Sequence, residues 1–140
     1  MGNLALKRSI MPPDCCDLEI RVRYVECDPM GYLHHARYFE FFELGRTELL
    51  RRAGHSYHDM EQRGHFLVVA RVQCKFINPA RYDDVLTLTT RIERVTAARI
   101  DHRYELNRND TLLCIGHTTL ASVDGKGKLA CIPDYLISPN

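Results

Sequence analysis

The chain has 140 residues, 45% of them hydrophobic, with 19 basic and 18 acidic residues and a formal net charge of +1. That length fits one compact domain whose core needs no disulfide support, and the well-mixed charges leave no polybasic tract for nucleic acid or anionic lipid. The longest apolar run, Phe66 to Ala70, is far too short to span a bilayer.

Residues 1 to 17, with Pro12-Pro13 and the adjacent Cys15-Cys16, show no periodicity and are expected to form a flexible arm before a domain over residues 18 to 140. From Leu18, the residues Ile20, Val22 and Tyr24 alternate with Arg21, Arg23 and Val25, the period of a half-buried strand. Cys27-Asp28-Pro29-Met30-Gly31 breaks it, since proline lacks a donor and glycine accepts positive φ. From His35 to Arg52 the period becomes helical: Tyr38, Phe42, Gly45 and Leu49 form one stripe, widened by Phe41. Glu48 is placed to pair with Arg51 or Arg52 on the wet side, worth about 0.2–0.5 kcal/mol per pair, so burial of the aromatics must do most of the stabilising. Gly45 costs roughly 1 kcal/mol relative to Ala there, which predicts a close approach of helix to sheet.

A shorter helix is expected around Ser56 to Arg63. A long second strand runs from Phe66 to Asn78-Pro79, a third carries Leu86, Leu88, Thr90 and Ile92, and a fourth carries Ile100, His102, Tyr104 and Leu106, with Asn107 to Asp110 as the turn. The fifth, Leu112 to Val123, is apolar on both faces and ends at Asp124-Gly125-Lys126-Gly127. This order predicts an α+β fold in which one antiparallel sheet buries a single long helix. One helix cannot cover so wide a sheet. The uncovered apolar surface, expected around the fifth strand, predicts an oligomer. The six cysteines have no CxxC pair or regular spacing, as expected of reduced thiols, and with no leader-like or myristoylation pattern at the start the expected location is the cytoplasm.

The most informative stretch sets Asp28 in a Pro/Gly turn seven residues before the helix start at His35. A helix start presents unpaired N–H groups and the positive end of the macrodipole, so a carbonyl oxygen held there is polarised. A carboxylate approaching the same carbonyl carbon from the other side would suit acyl transfer to water. The plainer readings are that Asp28 merely starts a turn and that His35 merely starts a helix. Tyr38, Phe41 and Phe42 read as core, Glu43 and Arg46 as a structural ion pair or pocket residues. His55, His58 and His65 lack a clustered acidic or cysteine partner for zinc, and His102 and His117 read as hydrogen-bonded core histidines. Cys27 would alternate to the side opposite Asp28.

Residues 24 to 50, YVECDPMGYLHHARYFEFFELGRTELL, resemble the signature of hotdog-fold acyl-CoA thioesterases of the 4-hydroxybenzoyl-CoA thioesterase family. Asp28-Pro29 and Gly31 are similar to its aromatic-thioester branch. His35-Ala36-Arg37-Tyr38 and Arg46-Thr47-Glu48 are more similar to the Tol-Pal-associated acyl-CoA thioesterases, and residues 78 to 86, NPARYDDVL, resemble the second-to-third-strand connection of both. The resemblance implies a five-stranded antiparallel sheet wrapped around a central helix, with Asp28 as the catalytic carboxylate, nucleophile or general base, and His35 as the residue whose backbone N–H polarises the thioester carbonyl. It implies substrate contacts from Gly31, Tyr32, Tyr38, Arg94 and Arg99, no metal or redox cofactor, and a homodimer or homotetramer with active sites at subunit interfaces. Tyr32 and His34 stand where relatives often carry aliphatic and aromatic residues respectively, and the turn Val95-Thr96-Ala97-Ala98 is neutral where relatives grip CoA phosphates. That neutral turn motivates a rival reading with acyl carrier protein as carrier; reuse of the fold without its chemistry motivates another, an acyl-CoA-binding module.

Overall fold

A computed structural model describes residue 10 and residues 12 to 137. Strand β1 (Cys15–Arg21) begins three residues before Leu18, because Cys16 continues the inward alternation of Leu18 and Ile20 and is buried as a small apolar side chain. The part of the expected arm at residues 1 to 9 and 11 lies outside the described residues, whereas Ile10 is buried and bridges to Ile137. Tyr24 does not extend the first strand. It opens one turn of 3-10 helix, Tyr24–Glu26, and stands 81% exposed, because the chain bends there to bury Glu26 instead.

Helix α1 (His35–Arg52) follows, then α2 (Tyr57–Gln62), β2 (Phe66–Phe76), β3 (Val85–Val95), β4 (Arg99–Arg108) and β5 (Thr111–Val123). The β4–β5 turn is tighter than expected: β4 runs on to Arg108, and Asn109 takes φ 52° to reverse the chain. The sheet is five-stranded and antiparallel, in the order β1-β3-β4-β5-β2. The fold is thus the expected α+β one, with α1 lying across β1, β3 and β4.

Two glycines set the distance between helix and sheet. At Gly116 on β5 the Phe42 ring occupies the place a side chain would fill, and that ring stacks on Tyr104 with centroids 4.4 Å apart. At Gly45 a Cβ would meet the Thr90 hydroxyl and, at 2.8 Å, Leu88 Cδ2. The expected pairs form on the wet side, Glu48 bonding Arg51 at 2.7 Å and Arg52 at 3.2 Å. A second core cluster, Ile10, Met60, Val95, Ile100, Ile132 and Leu136, closes the other end of the helix under the C-terminal segment.

The uncovered apolar surface is not where the pattern placed it. β5 lies second from the edge, with Leu113, Cys114, Leu120 and Ala121 buried, while the edge strand β2 leaves Val68, Val69, Val72 and Phe76 exposed. β5 is flanked on both sides by strands and takes the Phe42 ring of α1 at Gly116, whereas β2 is an edge that meets α1 at its Phe76 end, through Tyr38.

Arg46 makes no ion pair with Glu43 among the described residues. It points into the domain, lining one small cavity with Tyr57 and His102. His102 is 5% exposed, and its Nδ1 has no hydrogen-bond partner among the described residues. Burial, reinforced by the Arg46 charge, pulls its imidazole down to about 3. His117 is half-exposed and faces Glu93 at 3.5 Å, so neither strand histidine is the hydrogen-bonded core residue expected. His55 and His65 instead flank the Tyr135 ring, His65 Nδ1 lying 2.8 Å from its hydroxyl.

Gly45→Ala should destabilise the domain by about 1–3 kcal/mol in denaturant unfolding although Ala is the better helix former, because overpacking against β3 outweighs about 1 kcal/mol of propensity. For His102 the folded value lies below the unfolded one, so above about pH 6.5 the residue is neutral in both states and has no effect. Below that the unfolded chain takes up a proton the folded chain refuses, so stability should fall by up to about 1.4 kcal/mol per pH unit down towards pH 3. Unfolding curves of His102→Phe across this range should lack that part of the slope.

Candidate active site

Between the end of β1 and the start of α1 the chain makes a small hairpin closed by the Cys27–Leu33 bridge. Asp28 N–H donates to Tyr32 O at 2.8 Å and Gly31 N–H to Asp28 O at 2.9 Å, a reversal that needs Gly31 at φ 80°. The Asp28 carboxylate is held by its own turn: Oδ1 accepts from Met30 N at 2.9 Å and Tyr32 N at 3.1 Å, leaving Oδ2 without a partner among the described residues. Buried Glu26 ties this hairpin to its neighbours. Its carboxylate accepts from Arg23 N at 2.7 Å, and its carbonyl from His34 N at 2.9 Å, which fixes the residue that caps the helix.

His34 Nδ1 accepts from Ala36 N at 3.1 Å, and His34 O accepts from Arg37 N at 2.9 Å. Of the first N–H groups of α1, that leaves the one on His35 without an acceptor among the described residues. Asp28 and His35 line the same open cleft, about 350 Å³ in volume, with Tyr32 and Tyr38 on the helix side and Phe76, Ile77, Asn78 and Pro79 on the strand side. Tyr38 is buried, meets Phe76 edge to face at 4.9 Å, and has its phenol pushed up to about 12 chiefly by burial, so it is neutral at physiological pH. Asp28, with one carboxylate oxygen unpartnered among the described residues, and His35, whose N–H is likewise unpartnered at the positive end of an 18-residue helix, therefore line one cleft.

The model of the Thioesterase-like superfamily matches residues 22–138 of this sequence. The chain belongs to that superfamily. The acyl-CoA thioesterase YbgC of Haemophilus influenzae is 34% identical over 116 residues, covering 81% of this chain and 85% of that protein. Among solved structures, a probable thioesterase from Bartonella henselae matches with TM-score 0.81 at 32% identity, covering 85% of this chain and 99% of that one. The DHNA-CoA thioesterase of Staphylococcus aureus matches with TM-score 0.80 at 28% identity, covering 84% and 80%. The architecture is the hotdog fold of these thioesterases, and family and fold make the chain a thioesterase.

Within this thioesterase, Asp28, Tyr32, His35 and Tyr38 are brought to one cleft, and Gly31 shapes the turn that holds Asp28. Arg94 and Arg99 are not brought there. Both are exposed at the β3–β4 hairpin, about 30 Å of strand away from Val85, which pairs with Arg21 at the hairpin end of the sheet. Cys27 Sγ donates to Arg23 O at 3.7 Å, directed away from the cleft; burial and the adjacent Asp28 charge raise its thiol. The site residues not anticipated are Glu26 and the wall from Phe76 to Pro79. The Arg23–Glu26 spacing of a capping box is the signal that could have revealed Glu26, whereas nothing in the pattern of β2 separates Phe76 from its neighbours.

Proposed function

We propose that the chain hydrolyses acyl-CoA thioesters to the free acid and CoA, using Asp28 as the catalytic carboxylate and the His35 backbone N–H as an oxyanion donor. The observation that carries this reading is the pairing of a free Asp28 oxygen with the unpartnered His35 N–H in one cleft of a thioesterase fold. The thioester carbonyl oxygen sits against the helix start, where the N–H and the macrodipole stabilise the charge that develops on it. Asp28 Oδ2 reaches the carbonyl carbon from the turn, either attacking it or taking the proton of an attacking water. The acyl group lies along the apolar wall of Tyr38, Phe76 and Ile77.

The same wall supports the inferred assembly. Phe76 and Ile77 are 50% and 43% exposed, at the end of an edge strand whose Val68, Val69 and Val72 are also bare. We infer a homodimer in which a second copy covers this edge and closes the cleft, itself able to pair into a tetramer. Val72→Arg should lower the sedimentation mass to that of a monomer.

Against a panel of acyl-CoAs, Asp28→Asn should lower kcat by about 10²–10⁴-fold with unfolding unchanged. Undiminished turnover would refute the assignment. His35→Ala, which keeps the N–H, should cost far less than His35→Pro. Proline is tolerated at the first helical position, and His34 already has φ −63° and ψ 138°, values compatible with a following proline. Losing the donor should therefore cost about 10²–10³-fold in kcat while the helix survives.

A further inference from the structure

The 3-10 turn, Tyr24–Glu26, and residues 79 to 84 between β2 and β3 adjoin the cleft and form its rim. Pro79 lines the cleft, Glu26 O and Ala80 O accept from His34 N and Leu33 N, Arg81 bridges to Tyr32, and Tyr24 meets Tyr82. Acidic side chains on this rim are already engaged. Asp83 pairs with Arg21 at 3.1 Å, Asp84 with Arg108 at 2.8 Å, and Glu26 with Arg23 at 3.4 Å. Arg81 gives its backbone N–H to Asp84 at 2.9 Å, but its guanidinium has no carboxylate partner among the described residues. It lies 4.8 Å over the ring of Tyr32, which lines the cleft beside Asp28. Next to it Tyr24 and Tyr82 meet edge to face, 5.6 Å between centroids, and both are exposed.

Two aromatic rings held in solvent contribute little to the core. Beside an uncompensated guanidinium they form a surface whose chemistry matches a phosphate joined to a purine: the planar fork takes phosphate oxygens, and the rings offer a face to a base. We propose that this rim binds the nucleotide end of a CoA thioester, with Arg81 on a phosphate and the Tyr24–Tyr82 pair against the adenine. The inference rests on the thioesterase reading above. It gives the neutral β3–β4 turn a physical counterpart, since Arg81 lies over Tyr32 of the cleft while Arg94 and Arg99 of the same chain stand at the far end of the sheet.

The test compares one acyl group carried on CoA and on pantetheine, which lacks phosphate and nucleotide, using the full chain. Arg81→Gln should lower the ratio of kcat/KM for the two substrates about fivefold, the size of one exposed ion pair. Tyr24→Ala, at a side chain the core does not use, should lower it about tenfold, the size of one stacked base. Equal losses on both substrates, or a ratio that falls in the Arg94→Gln/Arg99→Gln double variant and holds in Arg81→Gln, would overturn the proposal. If the wild type hydrolyses neither substrate, the thioesterase reading fails by itself. Calorimetric titration with CoA then decides the rim separately: binding weakened by Arg81→Gln supports it, and binding that is absent or unaffected overturns it.

Discussion

The distance at which α1 lies against the sheet governs the rest of the domain. Phe42 reaches Tyr104 because Gly116 has no side chain to stand between them, and Gly45 lets the next turn of the helix settle onto Leu88 and Thr90. The conformational cost of a helical glycine is about 1 kcal/mol, against roughly 1.5–3 kcal/mol for each large side chain buried, so the close approach wins several times over. A helix held at that depth has its axis fixed across β1, β3 and β4, and its first residue is then fixed as well. The position of His35 is a consequence of packing two and three turns away.

The location of the cleft follows from the same limit. A helix seated on β1, β3 and β4 reaches β5 with Phe42 and the end of β2 with Tyr38 but leaves Val68, Val69 and Val72 of β2 bare, so the layer of side chains between helix and sheet ends near Tyr38 and Phe76. There the sheet runs on without a helix above it, leaving a groove with a helix start on one side and an apolar strand on the other. The hairpin of Cys27 to Leu33 delivers Asp28 to that groove through backbone hydrogen bonds and buried Glu26, and neither depends on the acyl group bound. Preorganisation of this kind suits the proposed chemistry, because the groups that must meet the developing charge are positioned before substrate arrives.

Much of this was legible from residue types. The bounds of α1, the α2 segment, the long β2 and the pairing of Glu48 with Arg51 and Arg52 follow from periodicity and charge spacing. The glycine at position 45 announced a close approach because nothing else justifies it in a buried stripe. What escaped were features set by neighbours remote in sequence. Tyr24 alternates in phase with Ile20 and Val22, yet the burial of Glu26 two residues later pulls the chain out of the strand. β5 and β2 are both rich in apolar residues, and only their order in the sheet decides which of them is bare. Asp28 and His35 could be singled out through the turn and the helix start, and both line one cleft, whereas Arg94 and Arg99 came from resemblance alone, and the register sets them at the opposite end of the same chain's sheet.

The polar interior at that opposite end follows a separate logic. Arg46 enters the domain towards Tyr57, Tyr104 and His102, none of which supplies a negative charge, and burial raises both tyrosine hydroxyls, keeping them protonated. Two basic side chains in such a place cannot both be cations. Guanidinium does not give up its proton at any ordinary pH, so imidazole is the group that stays neutral. His102 is therefore a neutral residue by electrostatic exclusion as well as by burial. Acid sensitivity of the fold thus arises at the end of α1 away from the Asp28 cleft. A fall in activity at low pH is therefore separated from loss of the fold only when unfolding is followed alongside turnover.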